Sequence, residues 1–86
     1  MANPFTYFPR PQTPAEWQSN ANVATYNRMA ACEELASWDN DSNVKRGLVR
    51  IPADVIANAH TAKWVEREAI RDAQKARQAA NKESGS

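Results

Sequence analysis

Apolar residues recur at intervals of three and four along two segments of this chain, while the N-terminal segment has neither a helical nor a strand period. Between residues 14 and 38, Trp17, Ala21, Ala24, Ala31, Leu35 and Trp38 fall on one face of a helix. Arg28 breaks that stripe at its middle, and Met29, Cys32 and Ala36 widen it on one side. Thr13-Pro14-Ala15-Glu16 marks the start. Threonine supplies a capping oxygen, proline suits the first helical position, and Glu16 stands where a capping box closes. The pattern predicts an amphipathic helix over 14–38, light in large aliphatics.

A second helix is predicted over 52–82, with Pro52 as its first residue and Asp54 in the favourable first turn. At 1.5 Å per residue it would be about 45 Å long. Val55, Ala59, Ala62, Val65, Ala69, Ile70, Ala73, Ala76 and Ala80 share one side, with Glu66 inside the stripe. Alanine lets two helices approach closely but buries little area. The first half, through Val55, Ile56, Val65 and Ile70, is expected to pack on Trp17, Leu35 and Trp38. The alanine-rich second half reads as a docking surface or a free extension, because a shorter helix leaves part of it uncovered, with packing on the chain's own core an equal alternative. Residues 83–86, Glu-Ser-Gly-Ser, read as a flexible tail.

Residues 39–47 form a polar connection. Asp39, Asp41 and Asn43 fall at the first, third and fifth positions of a calcium loop. The match then fails, since Val44 stands where glycine is needed and Arg50 where a bidentate glutamate is needed. A turn rich in Asx residues explains the same letters. Leu48 to Ile51 read as a short extended stretch.

In the first twelve residues Pro4, Pro9 and Pro11 withhold amide donors and push the residues before them to extended conformations. Phe5, Tyr7 and Phe8 are too apolar to be left in water. The segment is therefore expected to dock, on its own helices or on a neighbour, with a disordered tail as the remaining alternative. The fold class is all-α: an extended Pro/aromatic N-terminal arm (1–12), then a two-helix hairpin (13–82) with a long second helix.

Composition narrows the functional classes. An 86-residue chain buries only about 60–65% of the surface its unfolded form exposes, so its own core is marginal. No apolar run approaches the roughly 18–20 residues that span a bilayer, so no membrane partner is expected. Cys32 is the single cysteine, which fits a reducing compartment. Met1-Ala2-Asn3-Pro4 has neither a basic nor an apolar leader region, so the expected location is the cytoplasm or a virion, not secreted. A net charge of +1 argues against a generic nucleic-acid sponge. Residues 41–86 nevertheless hold nine Lys or Arg against six Asp or Glu, and most of that positive charge lies in the second helix.

The sharpest local feature is Trp64, nearly half a turn away from the Val55–Ala73 stripe at about 100° per residue. Lys63, Arg67, Arg71 and Lys75 recur every fourth residue beside it as a slanting basic ridge. An indole flanked by guanidinium groups suits cation–π contact and has the composition of a binding hot spot. The bland alternatives are that the arm covers Trp64, or that the ridge is solvated and paired with Glu68 and Asp72. Catalysis is not expected. There is one histidine, one cysteine and no glycine-rich loop, and His60 has no ligand-type residue at helical spacing. No metal and no cofactor are expected.

The organisation is similar to that of small proteins inside larger assemblies, bacteriophage virion and head–tail proteins among them. The first expectation is a non-enzymatic structural or accessory subunit. Its partner contacts would be Phe5, Tyr7 and Phe8 of the arm and Trp64, Arg67, Arg71 and Lys75 of the long helix, with self-association possible. A small regulatory or inhibitory protein, binding an enzyme or other host protein through the Trp64 ridge, is the alternative. A nucleic-acid-associated protein comes third, disfavoured by the interleaved Glu66, Glu68 and Asp72.

Overall fold

The computed structural model describes residues 5–84, so the first four residues of the arm and residues 85–86 of the tail lie outside the described part. Helix α1 spans Pro14–Asp39, α2 is the single turn Ser42–Lys45, and α3 spans Ala53–Ser84. No strand occurs among the described residues. The chain is thus an all-α hairpin of two long helices packed along each other. Its radius of gyration is 17.4 Å, whereas a compact domain of this length would have about 12 Å. The principal extents of 62 × 24 × 17 Å describe a rod.

Local chemistry explains the element ends. Thr13 is extended and its hydroxyl accepts from the Glu16 amide at 3.2 Å. The expected box is displaced by one residue, because the Glu16 carboxylate accepts from the Gln12 amide at 2.8 Å, not from that of Thr13. Asn40 ends α1, and both its amide and its side-chain Nδ2 donate to the Ala36 carbonyl at 3.0 Å. Asp41 then caps α2, its Oδ1 accepting from the amides of Asn43 (2.8 Å) and Val44 (3.3 Å). Those bonds are the work of an Asx turn. Gly47 closes α2 with φ of 76°. The Gly47 amide donates to Val44 and the Leu48 amide to Asn43, a Schellman pair that needs a left-handed residue at this point. Leu48 and Val49 bend where a short extended stretch is expected. Pro52 caps α3 from outside, its carbonyl accepting from Val55 and Ile56. At the other end the helix runs through Glu83 to Ser84, two residues expected in the tail; both tolerate helix.

Two cross-links set the helix register. Arg28 meets Glu66, and Arg77 donates to Gln18 at 2.8 Å. Moving ten residues back along α1 therefore corresponds to moving eleven forward along α3, as in an antiparallel pair. On this register Pro14 stands about level with Ala80, and Asp39 about level with Val55. Helix α1 thus accompanies α3 over most of its length, so of the two readings of the second half the structure realises packing on the chain's own helix rather than a long uncovered extension. Val55, Ala59 and Ala73 are buried, and Ala62, Ala69, Ala76 and Ala80 are half-buried. They share the seam with buried Ala21 and Ala24 of α1. Ala59 is 1% exposed. Backbones lined by methyl groups come close together, and the packing rests on many small contacts instead of a few large side chains.

The expected meeting of large apolar residues in the first half of α3 is only partly realised. Val55 is buried, but Ile56, Val65 and Ile70 are exposed. Trp17 lies near the start of α1, and the antiparallel register carries it to the alanine-rich part of α3.

Candidate functional site

The arm turns back and lies on α1. The carboxamide of Asn20 grips the backbone of Phe8 from both sides: its Oδ1 accepts the Phe8 amide and its Nδ2 donates to the Phe8 carbonyl, each at 2.6 Å. The Ser19 hydroxyl, on a buried side chain, donates to the Thr6 carbonyl. Further along, the Phe5 ring meets Tyr26 edge-on, with centroids 6.1 Å apart. An extended segment has unmet backbone groups, and these two polar side chains of α1 supply partners for three of them. The apolar residues of α1 are spread round the helix, which corrects the amphipathic helix expected over 14–38: α3 lies on one side of it and the arm on another.

The arm, α1 and α3 together enclose a cleft of about 310 Å³. Tyr7, Pro9 and Pro11 form the arm wall, Trp17 and Val23 belong to α1, and Trp64 stands on α3. Tyr7 is 64% exposed and Trp64 62%, so the arm borders the indole without covering it. The charged residues lining the cleft are Glu68 and Asp72, at four-residue spacing from Trp64 along α3. Phe5 and Tyr7 remain exposed and Phe8 is half-buried against α1.

The basic ridge belongs elsewhere. Lys63, Arg67 and Arg71 line an open groove of about 630 Å³ on the other flank of α3, together with Arg28, Cys32, Glu66 and Gln74. The indole thus lines the cleft, whereas Arg67 and Arg71 line the groove. Arg71 pairs with Glu68, three residues back along the helix, at 3.5 Å. Arg28 donates to both oxygens of Glu66 at 3.2 Å, and this hydrogen bond is the main reason its guanidinium is held above the usual arginine range, against some desolvation. Lys75 is exposed farther along α3.

Chemically, the first groove offers aromatic faces, prolines and two carboxylates, and the second offers a run of cations. Among the described residues no three His, Cys, Asp or Glu side chains gather closely enough to hold a metal ion, and no helix is long and apolar enough to cross a membrane. The residues that periodicity overlooks are Ser19 and Asn20. Their signal lies in the arm: a segment with three prolines and three aromatic rings needs a polar grip and an aromatic bed, and Trp17-Gln18-Ser19-Asn20 is the nearest stretch holding both. No family model, no curated protein and no solved structure matches this chain.

Proposed function

We propose that this chain is a non-enzymatic structural or accessory subunit of a larger assembly, in a virion or a cytoplasmic complex. It joins protein neighbours through the arm-side cleft and the free surface of α3. One observation carries the reading: the pattern of burial is inverted. The buried apolar residues are Ala21, Ala24, Val55, Ala59 and Ala73, while Tyr7, Tyr26, Leu48 and Trp64 stand mostly in water. Covering apolar area is favourable by about 25 cal/mol per Å², so large exposed rings beside a formed cleft gain most from a partner. Aromatic anchors framed by a polar rim are the usual core of such contacts.

The test is native purification of the chain at endogenous expression, with Trp64→Ala beside it. The expected result is a stoichiometric complex holding several copies of the wild-type chain, and a free, equally helical Trp64→Ala variant. A wild-type chain recovered free, or a variant that stays in the complex, would overturn the reading. A regulatory binder would use the same cleft, since Trp64 is the single aromatic ring of the Phe, Tyr and Trp type on α3. One copy per target in the recovered complex identifies that case.

A further inference from the structure

The cleft and the basic groove lie on opposite flanks of one helix segment, residues 63–74 of α3, and their charges are opposite. Glu68 and Asp72 are the charged lining of the cleft. Arg28, Lys63, Arg67 and Arg71 outnumber Glu66 in the groove. Within the described part of the chain, Arg28 is neutralised by Glu66 and Arg71 by Glu68, while Lys63, Arg67 and Asp72 enter no ion pair.

We propose that the occupant of the cleft is a second copy of this chain, which lays its Lys63–Arg67 flank against Trp64, Glu68 and Asp72, so that hairpins stack head to tail. The proposal rests on the assembly reading and names the neighbour. Spacing supports it. Lys63 and Arg67 are one helical turn apart, as are Glu68 and Asp72, so both pairs repeat at about 6 Å; Asp72 accepts one cation directly, and Glu68, paired with its own Arg71, accepts the other by sharing its carboxylate. Arg67 of the incoming copy then meets an exposed indole as well as a carboxylate, the cation–π contact that its own Trp64 does not make. Symmetry decides the form of the contact. A two-fold dimer through either groove would set acid against acid or base against base, whereas stacking one flank on the other satisfies both and leaves a free flank at each end.

The experiment is sedimentation of the purified full chain from about 10 µM to about 1 mM at low salt, with two charge-reversed variants. One variant is Lys63→Glu with Arg67→Glu; the other is Glu68→Lys with Asp72→Lys. The wild type is expected to grow past the mass of a dimer, each variant to stay monomeric, and an equimolar mixture to associate again. Raising salt to about 0.5 M should shrink the wild-type species, because exposed ion pairs are screened beyond a few ångströms. Circular dichroism checks folding; if a reversed variant loses helix, the milder pairs Lys63→Gln with Arg67→Gln and Glu68→Gln with Asp72→Asn replace it, with about 10-fold weaker association expected. A monomeric wild type, growth that stops at a dimer, association indifferent to these charges, or a mixture that stays monomeric overturns the proposal. If the native complex still depends on Trp64 while the pure chain is monomeric, the assembly reading stands and its neighbour is another protein.

Discussion

Arg28 and Glu66, 38 residues apart, form one ion pair in which the Arg28 Nε–H is shared between both carboxylate oxygens at 3.2 Å. Each is the residue that interrupts the apolar stripe of its own helix. Across the hairpin the two interruptions coincide, and a charge that would be costly beside alanine finds its counter-charge instead. Sliding one helix by a turn, about 5.4 Å, would break the pair and leave both groups facing methyl groups. The pair thus fixes register more than it adds stability.

Breaking the pair from one side is therefore expected to do more harm than removing it whole. Arg28→Met leaves Glu66 half-buried without its partner and should lower the melting temperature by several degrees. Arg28→Met combined with Glu66→Leu should recover most of that loss, a non-additivity read from a double-mutant cycle. Because the folded Arg28 pKa is raised, its contribution is complete below the ordinary arginine value and is lost only as pH climbs through the folded one. Arg28 should accordingly keep its charge at every pH from about 6 to about 9, checked by a melting difference that does not change sign over that range.

The alanine seam should not accept bulk. Ala59→Leu or Ala73→Leu would push the helices apart and is expected to cost about 1–3 kcal/mol, measured by urea unfolding at fixed protein concentration. Ala79→Leu, at an exposed position of the same helix, should stay within about 0.5 kcal/mol. Equal effects at the three sites would mean that the seam is not close-packed.

Asn20 holds the arm. Asn20→Ala removes both hydrogen bonds to Phe8 and is expected to cost about 1–2 kcal/mol while leaving helix content unchanged. Amide exchange at Phe8 should accelerate, and the near-ultraviolet signal from the Phe5–Tyr26 pair should fall. Deleting residues 2–12 should likewise spare the far-ultraviolet spectrum. Loss of most of the helix on deletion would make the arm part of the core.

Trp64 should be dispensable for folding. With 62% of its surface in water, Trp64→Ala is expected to change unfolding free energy by less than about 0.5 kcal/mol. Its effect belongs to association, at about 2 kcal/mol or more. In a Trp17→Phe and Trp38→Phe background, Trp64 fluorescence should be readily quenched by acrylamide in the free chain and protected in the complex. Protection already present in the dilute monomer would place the indole in the core.

Local chemistry determined the elements of this protein. The single turn α2 lay unseen inside the polar connection, but periodicity placed the two long helices within a residue or two, the Thr13 cap marked the start of the first, and the prolines kept residues 5–12 out of any helix. These features depend on neighbours within a few positions, and a sequence displays them directly. The seam residues were also legible, Glu66 and Arg28 included, although as defects. Tertiary structure alone decided what those defects meant, because only the antiparallel register brings residues 28 and 66 together. It also placed the alanine-rich half of α3 against α1, and it made Ser19 and Asn20, which look like solvent-facing residues, into the clasp of the arm. Helical spacing states which residues are neighbours on one cylinder, but only α1 and the arm build the cleft that Trp64 lines and the groove that Arg67 and Arg71 line.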